Sequence, residues 1–231
     1  MNSTESKEID RRIELLSRFV TERRLARLRE VAAARTGRIS LVLEDVRNAF
    51  NATAVTRTCE GLGIHEMHIV ENEHRFQLSP GVTQGAAKWL DMRRWREADG
   101  RNTERCIDAL HERGFRVVAT SPHKAGYTPD SLPLDRPVAI IFGHEKSGVS
   151  ERAIEMSDDT LRIPMYGFVE SFNLTVSAGM CLSRLRTRLD EERPAEVPYP
   201  AAFQRELLAK WLEWSVPRKV LESLDAAGSE E

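Results

Sequence analysis

The chain has few cysteines, no long apolar run and no recognisable leader, and each absence excludes a class of protein. Among its 231 residues are only three cysteines, Cys59, Cys106 and Cys181, which lie far apart and form no CxxC pair. They are predicted to be buried, reduced thiols. No apolar stretch approaches the roughly 18 residues that span a bilayer, and the first residues lack the apolar core of a secretory signal. We therefore expect a cytoplasmic protein without a membrane segment.

The motifs of metal sites and of common nucleotide sites are also missing. No group of His, Cys, Asp and Glu has the spacing of metal ligands, so no metal is expected. Gly61-Leu-Gly63 lacks the third glycine of a dinucleotide motif and follows a predicted helix rather than a strand. The segment Gly143–Gly148 contains P-loop residue types, but not in the order GxxxxGK[ST].

The charge is unevenly distributed along the chain. The net charge is −2 overall, yet residues 1–38 carry ten Lys and Arg against six Asp and Glu. Residues 190–231 carry five basic and ten acidic residues. A basic amino-terminal segment on a nearly neutral body is typical of a protein that binds a polyanion. The alternative is a solvated helix face without a partner.

The middle of the chain alternates between short apolar strands and helical segments, which predicts an α/β fold with a mostly parallel sheet and helices on both faces. The predicted strands are Ile39–Val46, Glu66–Val70, Trp89–Trp95, Arg116–Thr120, Val138–Phe142 and Thr160–Pro164. A proline-rich linker at Glu192–Pro200 precedes a further amphipathic helix. We therefore divide the chain into a helical amino-terminal extension (1–38), an α/β domain (39–190) and a helical carboxy-terminal extension (191–231).

Three polar segments follow predicted strands, where open parallel sheets bind ligands. The first begins at Asn51 and reaches Arg57, and the second is a glycine-bounded loop, Gly143–Gly148, with Glu145 near its tip. The third runs from Ile163 to Ala178 and contains Ser171-x-Asn173 before a helix. Ser and Asn are also common helix N-caps, so the third segment alone does not indicate a site.

Together the three segments resemble the SpoU (TrmH-like) class of the SPOUT superfamily of RNA 2′-O-ribose methyltransferases. The family has an Asn and an Arg spaced like Asn51 and Arg57, a strand followed by Gly-x-Glu-x-x-Gly, and Ile-Pro-Met followed by Ser-x-Asn. The resemblance covers roughly residues 39–189. It implies a deep carboxy-terminal trefoil knot, a homodimer in which each site is completed by the partner, and S-adenosylmethionine as methyl donor.

The resemblance also implies roles for individual residues. The catalytic candidates are Asn51, Arg57, Glu145, Ser171 and Asn173. The candidates for the cofactor pocket are Thr120, Gly143, Ile163 and Phe172. Arg57 holds the position of the family's catalytic arginine. Because a guanidinium is a poor proton acceptor, we expect it to clamp a phosphate beside the target ribose rather than act as the base.

The flanks resemble those of the members that methylate a guanosine in the D-loop of tRNA. The same chemistry on ribosomal RNA or at another tRNA position is an alternative, and a non-catalytic RNA-binding protein is a third. Two departures from the family pattern are Asn48-Ala49-Phe50, where members often have His-Pro-His, and Phe172, where the usual residue is Leu. The first bears on RNA contacts and the second on the shape of the cofactor pocket.

The amino-terminal segment is predicted to be helical over residues 8–35, as one helix or as two pieces, and to contact the tRNA backbone. The candidate phosphate ligands are Arg11, Arg23, Arg24 and Arg27. The alternative is that its apolar stripes, Ile13–Val20 and Leu25–Val31, dock on the body while the arginines only solvate it.

Overall fold

The computed structural model describes residues 3–79 and 85–228. It forms two compact units, one made of the described parts of Met1–Arg35 and Pro198–Glu231, the other of those of Thr36–Val197. Within the described residues, no helix has the length and apolar character needed to cross a bilayer. The three cysteines are buried and free.

The larger unit is built on a six-stranded sheet in which every pairing is parallel. The strands are β1 (Ile39–Glu44), β2 (Glu66–Val70), β3 (Asp91–Trp95), β4 (Arg116–Thr120), β5 (Val138–Phe142) and β6 (Asp159–Leu161), in the order β3-β2-β1-β5-β4-β6. The α/β prediction with a parallel sheet is therefore confirmed.

The helices of this unit are α3 (Ala49–Gly61), α4 (Asn102–Glu112), α5 (Glu151–Met156) and α6 (Leu174–Glu192), after two helices of the smaller unit. Short 3₁₀ turns cover Ala86–Trp89 and Pro194–Glu196. Alternate residues of the central strands enter different cores: Leu41 packs with residues of α3 and α6, whereas Val42 packs with residues of α4 and α5. Because successive strand residues point to opposite faces, helices cover both faces of the sheet.

The structure moves several predicted boundaries. Strand β1 ends at Glu44 rather than Val46, and β3 begins at Asp91 rather than Trp89. The last strand ends at Leu161 rather than Pro164, because β6 pairs with β4 over only three residues and Pro164 has no N–H to extend a ladder. Helix α3 begins at Ala49, although residue type alone allowed a start at Ala52 with Asn51 as N-cap. The N-cap is Asn48, whose side chain accepts from the backbone N–H groups of Phe50 and Asn51.

The smaller unit contains α1 (Ser3–Ser17), α2 (Glu22–Ala34), α7 (Ala201–Glu213) and α8 (Arg218–Gly228). Helices α1 and α2 confirm the prediction of two helical pieces, and both pack against α7. Leu16, Leu28 and Trp211 are buried in this unit, and the Arg35 guanidinium lies 5.5 Å from the centre of the Trp211 ring. The two ends of the chain therefore share one compact unit. The division at residues 38 and 190 remains a prediction.

Candidate active site

The candidate site lies at the carboxyl edge of the sheet, where the strand order reverses. β1 occupies the centre, with β2 and β3 on one side and β5, β4 and β6 on the other. Loops that leave neighbouring strands in opposite directions open a crevice at such a point. The three polar segments identified in the sequence follow β1, β5 and β6.

Glu145 connects the loop after β5 to the start of α3. Its Oε1 atom accepts from the Asn48 backbone N–H at 3.1 Å and from Asn51 Nδ2 at 3.0 Å, and its Oε2 atom accepts from the Arg47 N–H at 3.4 Å. Partial burial alone would raise the pKa of Glu145. The hydrogen bonds from Asn51, Asn48 and Arg47 outweigh it, and the pKa lies below its ordinary value.

Asn51 extends this connection to the third segment. Because Asn48 caps the helix, the Asn51 side chain is available to donate to Glu145 and to accept from Asn173 Nδ2 at 3.4 Å. Asn173 is the N-cap of α6, and its Oδ1 atom accepts from the Thr175 backbone N–H at 2.8 Å. A chain of hydrogen bonds, Glu145–Asn51–Asn173, thus joins three segments that are far apart in sequence.

The loop after β5 requires its first glycine. A Cβ atom on Gly143 would lie 2.1 Å from the Gly148 carbonyl oxygen, so the two ends of the loop meet only because residue 143 has no side chain. Gly148 adopts a left-handed conformation with φ of 73°. His144 Nδ1 accepts from the Lys146 N–H at 3.1 Å, which closes the turn from inside.

Buried Glu44, which was not predicted from the sequence, holds the end of β1 to the segments that follow β3 and β5. Its carboxylate accepts from the Ser150 N–H at 2.9 Å, the Ser150 hydroxyl at 2.8 Å and the Thr103 hydroxyl at 2.7 Å. Ser150 in turn caps α5. The signal was present, since a single carboxylate ends strand β1, in which Ser40 is the only other polar residue. A buried acid needs such donors to offset its desolvation.

A cavity of about 340 Å³ lies beside this network. All four residues predicted for the cofactor pocket line it, together with Glu145 and Ser171. They are Thr120, Gly143, Ile163 and Phe172. The Thr120 hydroxyl donates to the Ile141 carbonyl at 2.8 Å, so this side chain contributes to the wall while its own proton is already engaged.

The cavity also includes residues that the sequence reading missed. The loop after β4 contributes His123 and Lys124. Met165 and Glu170 also line the cavity, and both lie within the predicted third segment, Ile163–Ala178. The signal for the first pair was a polar run directly after β4, at the same edge of the sheet as the other loops. Within the described part of the chain, no group of three or more His, Cys, Asp and Glu is arranged to hold a metal ion.

The remaining predicted residues lie elsewhere. Asn51 and Asn173 belong to the hydrogen-bonded network but are not among the residues lining the cavity. Arg57 is exposed on α3, six residues or roughly 9 Å along the helix from Asn51. The predicted RNA ligands Arg11, Arg23, Arg24 and Arg27 are exposed on α1 and α2 in the smaller unit.

A parallel α/β domain with a polar crevice at its switch point is typical of proteins that bind a small ligand. Comparison with known proteins identifies the family to which this chain belongs. Residues 38–183 match the model of the SpoU rRNA Methylase family. The chain therefore belongs to the SpoU methylase family.

Three relatives are similar over different shares of their length. The tRNA (guanosine(18)-2′-O)-methyltransferase of Borreliella burgdorferi is 34% identical over 182 residues, which cover 79% of this chain and 81% of that protein. The crystal structure of the A. aeolicus TrmH/SpoU tRNA modifying enzyme is 28% identical with a TM-score of 0.74, and the match covers 85% of this chain and 98% of that one. An AdoMet-bound rRNA methyltransferase from Sinorhizobium meliloti is 25% identical with a TM-score of 0.58, covering 70% of this chain and 60% of that one.

Proposed function

We propose that this protein transfers a methyl group from S-adenosylmethionine to the ribose 2′-hydroxyl of guanosine 18 in the D-loop of tRNA, as the name of its Borreliella relative states for that protein. The observation that carries the proposal is the Glu145–Asn51–Asn173 network beside the cavity. The network joins residues from three segments that are far apart in the sequence. A site built from several loops needs such contacts to hold the loops together.

The extent of similarity favours tRNA over ribosomal RNA. The match with the tRNA modifying enzyme spans nearly all of that chain, whereas the match with the rRNA methyltransferase spans 60% of it. A chain that aligns with a tRNA enzyme over almost its whole length contains counterparts of most of that enzyme. The rRNA enzyme contains a large part that has no counterpart in this alignment.

The cavity suits S-adenosylmethionine in size and in the chemistry of its lining. Its volume of about 340 Å³ falls in the ~300–1,000 Å³ range of pockets for small ligands. Ile163 and Phe172 supply apolar surface for an adenine ring, and backbone groups around Gly143 supply polar contacts. Bound there, S-adenosylmethionine would supply a methyl group that its sulfonium already activates. Transfer of that methyl group needs no metal ion. Carboxylate and ammonium side chains of Glu170 and Lys124 complement the charged methionine end.

The protein's own task is then to orient the 2′-oxygen and to help it lose its proton. Because a guanidinium is a poor proton acceptor, Arg57 holds a phosphate next to the ribose and stabilises the negative charge that develops on the 2′-oxygen. A phosphate oxygen accepts the proton. Asn51 and Asn173 keep the segments in register, and the exposed Ser171 hydroxyl lies at the cavity wall, where it can contact the ribose or the methionine end.

A homodimer and the trefoil knot are parts of this proposal. Exposed apolar side chains on and before α6 support a second copy: Phe172, Val176 and Met180 are 37, 47 and 45% exposed. Arg57 does not line the cavity of its own chain. In the proposed dimer, a second copy covers these apolar side chains and its residues complete the site. The knot is proposed from membership of the SpoU methylase family. The carboxy-terminal helix of the larger unit, α6, is held to the loop before β5 by Arg188, which donates to the carbonyls of Pro129 and Leu132.

The arginines of α1 and α2 are proposed to form a second region of contact with the tRNA backbone, in addition to the contacts at the active site. Their helices pack against α7, a helix of the carboxy-terminal extension, and bury Leu16 and Leu28, so the apolar stripes have a partner other than the body named in the alternative. Arg11, Arg23, Arg24 and Arg27 nevertheless remain exposed to a partner. A cytoplasmic location stays a prediction that follows from the proposed substrate.

A methyl-transfer assay with purified protein, labelled S-adenosylmethionine and excess chelator tests the proposal. We expect label in tRNA, none in ribosomal RNA, and none in either when Arg57 is replaced by Ala. Label in ribosomal RNA alone would favour the alternative substrate. Tight tRNA binding without any transfer would favour the non-catalytic alternative.

A further inference from the structure

Phe50 is an exposed aromatic side chain at a position that the backbone holds firmly. It lies in the first turn of α3 and is 66% exposed. Its backbone N–H donates to Asn48 Oδ1 at 2.9 Å, and the next residue, Asn51, is fixed by Glu145 and Asn173. The ring therefore projects to solvent from the same turn that carries the candidate catalytic network.

Arginines available for an external anion lie near it at the same edge of the sheet. The strand register aligns Glu44, Val70 and Trp95, the last residues of β1, β2 and β3. Arg47 and Arg75 follow β1 and β2 at this edge and are exposed. Among residues 3–79 and 85–228 neither makes an ion pair, whereas Arg94 within β3 pairs with Glu71.

The loop that carries Arg75 is pinned to this edge. Asp45 Oδ1 accepts from the backbone N–H groups of Asn72, Glu73 and His74 at 2.8, 2.8 and 3.1 Å. On the other side of Arg75, the Phe76 N–H donates to Glu71 Oε1 at 2.8 Å. Exposed Glu73 lies in the same loop and reduces the local positive charge. The surface formed by Phe50, Arg47 and Arg75 therefore suits a nucleic acid, with separate phosphates for the arginines and a base for the ring, better than a small compact anion.

We propose that Phe50 is a substrate-positioning residue whose ring stacks on a tRNA base beside the methylated ribose, while Arg47 and Arg75 hold neighbouring phosphates. The proposal rests on the proposed function. Proteins that bind unpaired RNA bases stack them on aromatic rings and contact the backbone with basic groups. Phe50 lies in the same helical turn as the candidate catalytic Asn51, so a base stacked on its ring would lie beside the segment that carries the network.

Phe50→Leu and Phe50→Tyr separate stacking from general apolarity, and Phe19→Leu is the matched control because Phe19 is another exposed phenylalanine, in the smaller unit. We expect Phe50→Leu to lower kcat/KM for tRNA about 5- to 150-fold, the loss that corresponds to one base–aromatic stack. Phe50→Tyr should keep the activity. Affinity for S-adenosylmethionine and the melting temperature should not change in either variant.

Arg47→Gln/Arg75→Gln is compared with Arg152→Gln/Arg218→Gln, two exposed arginines elsewhere in the protein that each pair with a glutamate. The first pair should lower the slope of log Kobs for tRNA against log salt by about two, and the second pair should leave it unchanged. Wild-type kcat/KM in Phe50→Leu, or dissociation of a dimer by that change, would overturn the proposal. The two proposals fail in different ways. If the unaltered protein methylates no tRNA, the proposed function is wrong; if it methylates tRNA and Phe50→Leu does so equally well, only the role of Phe50 is wrong.

Discussion

Replacing Glu145 with Gln tests whether the network organises the site. The carboxylate accepts three hydrogen bonds, at 3.0, 3.1 and 3.4 Å, from donors on the opposite side of the crevice. A glutamine side chain has one acceptor oxygen, and its NH₂ group would face at least one of those donors. Hydrogen bonds to a charged group contribute about 1.5–3 kcal/mol each when buried. Because Glu145 is exposed, we expect a total loss of about 1–2 kcal/mol.

For a protein of this size that loss corresponds to a decrease in melting temperature of about 2–8 °C. The affinity for S-adenosylmethionine should also fall, because Glu145 and Gly143 belong to one loop of the cavity wall. Differential scanning calorimetry and isothermal titration calorimetry measure the two effects. Glu191→Gln, which removes one exposed carboxylate near the end of α6, is the control.

The same variant should change the dependence of stability on pH. Since the folded-state pKa of Glu145 is lowered from 4.5, its contribution is present above about pH 4.5 and is lost as the pH falls through the folded-state pKa. The wild-type protein should therefore lose its advantage over Glu145→Gln below that pH. Equal melting temperature and equal cofactor affinity in Glu145→Gln and Glu191→Gln at pH 7 would refute this role.

Arg57→Ala should abolish methyl transfer while cofactor binding by calorimetry stays within a few-fold, and Arg57→Lys should also be poor because an ammonium cannot make the bidentate clamp; wild-type turnover in either variant would contradict the assignment. Gly143→Ala should cost several kcal/mol in denaturant unfolding and abolish cofactor binding, since its Cβ would overlap the Gly148 carbonyl; normal stability would show that the loop can open. Changing Arg23, Arg24 and Arg27 together to Gln should flatten the salt dependence of tRNA binding by up to three units, with α7 packing intact by circular dichroism; an unchanged slope would make these arginines structural.

Substitution is a better test of the amino-terminal arginines than removal of residues 1–35. Helices α1 and α2 bury Leu16 and Leu28 in a unit that also contains Trp211. Deleting them would expose the apolar side of α7, so weaker tRNA binding could then reflect an unfolded carboxy-terminal segment. The three-residue variant leaves that core in place.

The sheet and the edge that carries the site were predictable because their signals are local. Continuous apolar runs such as Val138–Phe142 indicate strands buried on both faces. Polar, glycine-containing segments directly after such runs must then lie at the carboxyl edge. Parallel strands bring those segments together wherever they occur in the sequence, and so the Glu145 and Asn173 segments meet.

Features that depend on a choice between similar partners were not predictable. Asn48 and Asn51 are equally good caps by residue type, and the hydrogen bond from Asn51 to Glu145 decides between them. The apolar stripes of α1 and α2 indicate a buried face but do not identify α7, more than 160 residues away, as its partner. The sequence marks Glu44 as a carboxylate at the end of a buried strand, but it does not identify its donors Thr103 and Ser150, which come from distant segments.

The most direct test of the central claim is to map 2′-O-methylation in tRNA by mass spectrometry, from cells with and without this protein. The account predicts 2′-O-methylguanosine at position 18, present with the wild-type protein and absent both without it and with Arg57→Ala. Unchanged methylation at position 18 in cells without the protein, or a lost methyl group at another nucleotide, would contradict it.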